Sequence, residues 1–176
     1  MKEKRYKSKF EAYPFLSEPA NDLKCDFEIL TDEIASHIGL LHSLVKDDAI
    51  KNELLIICEL TYHINPSLRT FISVTEDELE YLETATKRLR EETKDRCDKF
   101  VLPVGSEGAG HAHIIRSKCK SLIRLLYRYD EQGNEVPNLL FDFTNLLSAY
   151  FFYLALKLNQ LEGISEIEFK SRNYHQ

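Results

Sequence analysis

Between positions 27 and 45 the apolar residues Phe27, Leu30, Ile34, Ile38, Leu41 and Val45 recur every three or four positions, which puts them on one stripe of a helix. Ile50, Leu54, Ile57 and Thr61 mark the inward side of a second helix, from about Asp48 to His63. It stops before Asn65-Pro66, because a residue preceding proline is pushed out of the helical region. Thr75-Glu76-Asp77-Glu78 sets a hydroxyl three positions ahead of a glutamate, so a capping box starts a third helix there, running to about Asp95 with a heavily charged outer side. Ser106 is a natural N-cap for a fourth. The fifth follows the turn Asp130-Glu131-Gln132-Gly133-Asn134, has Pro137 at an early position and Gly163 just past its end, and is strongly apolar. Strand alternation is missing and only 6 Gly and 5 Pro interrupt the chain, so the pattern predicts an all-α, up-and-down five-helix bundle.

At 176 residues with 43% hydrophobic content the chain suits one core, here residues 23–176, behind an N-terminal arm of residues 1–22. The arm opens with Lys2, Lys4, Arg5, Lys7 and Lys9, then carries Pro14 and Pro19 without periodicity. It is either a segment that orders on a partner or a solvated basic tail. The net charge of −6 argues against a nucleic-acid or anionic-membrane binder, so an anionic ligand needs a local basic site. Cys25, Cys58, Cys97 and Cys119 are scattered, no C-x-x-C pair occurs and the start carries no apolar signal segment, which fits the cytoplasm. Leu139 to Leu158 is apolar enough to suggest a membrane span, but Asp142, Asn145 and Lys157 interrupt it, and a buried central helix is favoured.

The local basic site lies between Phe100 and Arg128. Arg116, Lys120, Arg124 and Arg128 stand at successive i, i+4 positions, one ridge of a helix, where like charges repel by a few tenths of a kcal/mol per pair. Carboxylates from another helix or subunit, or a polyanion such as a nucleotide triphosphate, would offset this. Gly105, Gly108 and Gly110 surround the helix start, where free N–H groups can cradle phosphate, although a plain tight turn explains them as well. His111 and His113 point in different directions on a helix and lack a partner at i+4, so no metal site is expected. Cys119 reads as a small core residue. Asp32-Glu33 is a solvated pair, or Asp32 pairs with a fourth-helix cation across an interface. Asn145, Ser148 and Tyr150 need hydrogen-bond partners if buried, as bundle residues or as a ligand-facing spot.

At these residues the chain resembles the ATP:cob(I)alamin adenosyltransferases of the trimeric five-helix-bundle type. The family's F-x-L-P-G-G-S is matched by Phe100-Val101-Leu102-Pro103-Val104-Gly105-Ser106, and its L-H-x-A-R-T-x-x-R-R-A-E-R by the run from Ala112-His113 through Arg116 and Lys120 to Arg124. Its V-D-E-L-N-S-x-I-G corresponds to Thr31-Asp32-Glu33-Ile34-Ala35-Ser36-His37-Ile38-Gly39, and its last-helix N-R-L-S-D-L-L-F to the segment from Asn145 to Phe152. The matches run in order from about residue 26 to 163. Departures also occur: Val104, Ser121, Ile123, Leu146 and Ala149 replace family residues, and Tyr6-Lys7-Ser8-Lys9-Phe10-Glu11-Ala12-Tyr13 stands where the family has its T-x-T-G-D-x-G-x-T nucleotide loop.

The resemblance implies a homotrimer with sites between subunits and Arg116 paired with Asp32 of a neighbour. It gives Lys120 to the ATP phosphates, with Ser106, Arg124 and Asn145 completing the ATP site, and Phe100 to keeping the lower ligand off cobalt. Phe100, Arg116 and Lys120 are then the catalytic set. The implied reaction transfers the 5′-deoxyadenosyl group of ATP, accompanied by Mg2+, to cob(I)alamin and releases triphosphate. A corrinoid-dependent enzyme or a reductase is an implied partner. The replaced residues support an alternative, a non-catalytic corrinoid- or nucleotide-binding module, regulatory or chaperone-like, that kept the bundle.

Overall fold

The computed structural model describes residues 5–13, 15–96 and 98–173; Lys2, Lys4, Pro14 and Cys97 lie outside the described residues. Among the described residues five α-helices follow one another: α1 Leu23–Leu44, α2 Asp48–Ile64, α3 Glu76–Glu92, α4 Glu107–Glu131 and α5 Asn138–Leu161. Four start on side-chain caps that satisfy free N–H groups: Asp22, Asp47, Thr75 and Ser106 accept from Lys24, Ile50, Glu78 and Ala109. The Thr75–Glu78 capping box is formed in both directions. Pro137 is the N-cap of α5, with no side-chain bond, and Gly163 beyond its end has φ +67°. Helix α3 ends at Glu92, short of Asp95, because the chain tightens there into a 3₁₀ turn over Lys94–Arg96.

The apolar stripes converge as their spacing demands. Phe27, Ile34, Ile38, Leu41, Leu54 and Ile57 are all fully buried, each contributing roughly 1.5–3 kcal/mol. Helix α5 packs on α4 and α3, and α1 on α2 and α4. Although α5 is long and apolar enough to cross a membrane, its Phe143, Leu147, Tyr150, Phe151 and Leu154 are buried in the bundle. Tyr150 donates to Glu53 at 2.7 Å, and the exposed Arg88 grips the same carboxylate at 2.8 Å, so one polar network joins α2, α3 and α5 and runs from the buried Tyr150 out to the surface.

The second half of the arm docks on its own chain. Arg69, after α2, is gripped by Glu18 at 3.0 Å and by the buried Glu28 of α1 at 2.7 Å, and its guanidinium lies 3.6 Å from the centre of the Phe15 ring. Past α5 the chain turns back on the α3–α4 connection, with an isolated antiparallel bridge between Val101 and Glu168. This is the strand-like pairing that helical periodicity does not announce.

Candidate functional site

Helix α4 carries the candidate cation ridge, with its inner face anchored and its outer face exposed. Ala109, Ala112, Ile115, Cys119 and Leu122 are fully buried, which turns Lys120, Arg124 and Arg128 outward. None of these three makes an ion pair with a described residue. Lys118, off the ridge, is by contrast held by Glu33 of α1.

Arg116 is half-buried and has no carboxylate partner among the described residues. Its guanidinium sits 5.8 Å from the centre of the Phe152 ring, its Nε is buried without an acceptor, and burial pulls its pKa below the ordinary arginine value. One turn earlier His113 is buried with an unpaired Nδ1; burial first, and then the Arg116 charge, push its pKa down to about 4, so it is neutral at pH 7.

Asp32 is exposed on α1, and its partner within the chain is Tyr62 of α2, whose hydroxyl donates at 2.6 Å. Asp32 also helps line a cavity of about 350 Å³ with Tyr13, Leu16, Glu28, Ile29, Tyr62 and Asn65, so the docked arm roofs the neighbourhood of that carboxylate. Asp32 and Arg116 do not pair within one chain.

Phe100 is not a core residue: it is 72% exposed, at the start of the loop that enters α4. Ser106 is buried at the other end of that loop as the α4 N-cap. Asn145 is exposed, donates to the Phe141 carbonyl at 2.8 Å and lines a groove of about 730 Å³ between α3 and α5. Glu76, Asp77, Glu80, Glu83 and Asp142 make that groove acidic, and no α4 residue lines it, so one chain does not gather Asn145 with the ridge. Ser148 is buried and donates to the Arg116 carbonyl at 3.3 Å, Tyr150 serves the Glu53 network, and Cys119 is a core thiol whose pKa burial raises. Among the described residues no cluster of three His, Cys, Asp or Glu side chains is arranged to hold a metal.

The family model for cobalamin adenosyltransferase matches residues 24–158, most of the chain and all five helices in large part. The chain belongs to the cobalamin adenosyltransferase family. A cobalamin adenosyltransferase of Cupriavidus metallidurans is 31% identical over 150 residues, 77% of this chain and 74% of the relative. A corrinoid adenosyltransferase of Bacillus subtilis is 28% identical over 148 residues, 79% of this chain and 76% of the relative. Among solved structures, a variant of the PduO-type adenosyltransferase of Lactobacillus reuteri complexed with ATP superposes with a TM-score of 0.75 at 25% identity, covering 85% of this chain and 88% of that one. A second variant of that protein, complexed with cobalamin and ATP, gives a TM-score of 0.76 at 22% identity, with 86% of each chain covered, and shares the fold.

Within this adenosyltransferase-family bundle, several residues that shape the site escape sequence reasoning. Arg69 and Glu28 fix the arm, Tyr62 holds Asp32, and Asn159, Arg96 and Glu166 hold the loop that bears Phe100. A signal for Asn159 does exist: it is a carboxamide following Leu158 near the end of an apolar helix, and a buried amide demands partners.

Proposed function

We propose that this chain is a corrinoid adenosyltransferase acting on ATP and cob(I)alamin. The Co(I) electron pair attacks the 5′ carbon of ATP, the Co–C bond forms as the C5′–O bond breaks, and triphosphate leaves with the bonding electrons. Such a displacement asks the protein for alignment, water exclusion and cations on the leaving group. The observation that carries the reading is the combination, along one helix and its entry loop, of an exposed aromatic, Phe100, with a cation ridge that no carboxylate among the described residues neutralises. Lys120 and Arg124 take the triphosphate, Ser106 orders the helix entry, and Phe100 keeps a lower ligand away from cobalt.

Arg116 supports assembly as a homotrimer. A half-buried guanidinium without a counter-ion is costly, and an exposed carboxylate already oriented by Tyr62 is available on a neighbouring copy. Asn145 of a neighbour would complete the ATP site in the same way. Cob(I)alamin is a strong reductant that must be generated by a reductase, which favours a cytoplasmic setting and a reductase as partner.

The docked arm in place of a glycine nucleotide loop favours the second reading, a corrinoid-binding module without turnover. Titration with ATP by calorimetry, followed by assay with reduced cobalamin, separates the two. The enzyme binds ATP and forms adenosylcobalamin; the module binds corrinoid alone. Phe100→Ala in that assay should lose turnover at nearly unchanged melting temperature, because an exposed ring contributes little to the core.

A further inference from the structure

The loop that presents Phe100 has little packing of its own, yet its backbone is tied at four points. The Phe100 carbonyl accepts from the Phe169 N–H at 2.7 Å, and the Leu102 N–H donates to the Ile167 carbonyl at 2.8 Å. The Ser106 N–H donates to Asn159 Oδ1 at 2.9 Å, and Asn159 Nδ2 donates to the Val104 carbonyl at 3.2 Å. All four ties lead to the end of α5 or to the segment beyond it.

That segment is itself anchored. Glu166, whose side chain is 10% exposed, meets the Arg96 guanidinium at 2.8 and 3.0 Å; Arg96 also donates to the Ile164 carbonyl at 2.8 Å. Gly105 shows how closely the parts fit. Its φ is +143°, and a Cβ placed there would stand 2.0 Å from Asn159 Oδ1 and 2.4 Å from Nδ2, so the fully buried amide occupies the space of a side chain. Asn159 has given both of its polar atoms to this loop, and neither is spare for substrate.

We propose that Arg96, Asn159 and Glu166 are positioning residues for adenosyl transfer: with segment 164–169 they form a clamp that holds the 100–106 loop so that Phe100 projects from the bundle toward the corrinoid. The inference rests on the adenosyl-transfer reading of the site. It assigns the segment past α5 a part in the reaction through the loop it holds, since the polar atoms of Asn159, Arg96 and Glu166 bond that loop and one another. Glu166→Ala cuts Arg96 from the clamp while the five helix cores stay intact, so the loop loosens and Phe100 no longer excludes the lower ligand.

The test is a double-mutant cycle on the full chain, comparing wild type, Glu166→Ala, Phe100→Ala and the double variant. It reads kcat, KM for ATP, melting temperature and, by electron paramagnetic resonance, the fraction of bound cob(II)alamin that lacks a lower axial ligand. Glu166→Ala should lower kcat about tenfold or more and shrink the ligand-free fraction, with KM for ATP changed less than about twofold. Adding it to Phe100→Ala should cost little further, because both remove the same wall. Arg96→Lys, which keeps the charge, should retain more rate than Arg96→Ala, and Glu166→Gln serves if the alanine variant unfolds. Unchanged kcat, losses that multiply independently of Phe100, or a rate that falls only with melting temperature would overturn the clamp. A wild type that binds corrinoid without transferring adenosyl would instead remove the reaction reading, and the positioning role with it.

Discussion

Tyr62 of α2 donates its hydroxyl to Asp32 of α1 at 2.6 Å, and that hydrogen bond is the first cause of a raised Tyr62 pKa. A carboxylate held from one side presents its remaining lone pairs in a fixed direction, which suits a guanidinium arriving from outside the chain. Arg116, half-buried and without a counter-ion among the described residues, fits that description.

Assembly follows from this relationship. The wild type should sediment as a trimer, and Arg116→Ala should weaken association and activity together, by about 3–5 kcal/mol where the pair is buried. Sedimentation velocity across a concentration series checks it. A monomer that the substitution does not affect would contradict the pairing.

The ridge makes a separate claim about ATP. Lys120 is exposed and makes no ion pair with a described residue, while Lys118 two positions away is held by Glu33. Lys120→Ala should therefore raise the calorimetric Kd for ATP by about tenfold or more, at the 1.5–3 kcal/mol of a hydrogen bond to a charged group. Lys118→Ala should change it less than about twofold. Equal effects from the two would mean that only diffuse charge attracts the nucleotide.

His113 sets a pH dependence of stability. Its folded pKa of about 4 lies below the usual 6.5, so folding favours the neutral ring. Its contribution is complete above pH 6.5 and is lost as the pH falls through the window toward 4, by about 3 kcal/mol at roughly 1.4 kcal/mol per unit. Urea unfolding at pH 7, 5 and 4 should show this acid-side loss in the wild type and a shallower one in His113→Gln. Identical pH profiles would show that His113 is not the group responsible.

Much of the architecture was legible because it is written in local, periodic terms. The Thr75–Glu78 box, the Ser106 cap and the inward stripes of α1 and α2 depend on residues three or four apart, and each stands where the spacing placed it. What was not legible depends on contacts far apart in the chain. Arg69 reaches Glu18 and Glu28, Asn159 reaches back to Ser106, and Glu166 meets Arg96 across 70 positions; no period links such partners. The arm shows the same limit. Its composition suggested a segment waiting for a partner or a solvated tail, and residues 15–18 instead dock on Arg69 of their own chain. Tyr150 lay between: its need for a partner was readable, its partner Glu53, 97 positions away, was not.

The most direct measurement of the central claim is a single-turnover reaction of the purified protein with cob(I)alamin, magnesium and ATP, in which the corrinoid and phosphate products are both quantified. Adenosyl transfer through attack on the 5′ carbon predicts adenosylcobalamin and intact triphosphate in equal amounts, with both falling together in Phe100→Ala and Lys120→Ala. Bound corrinoid that never gains an adenosyl group, or ATP cleaved to phosphate or pyrophosphate without adenosylcobalamin, would contradict the account.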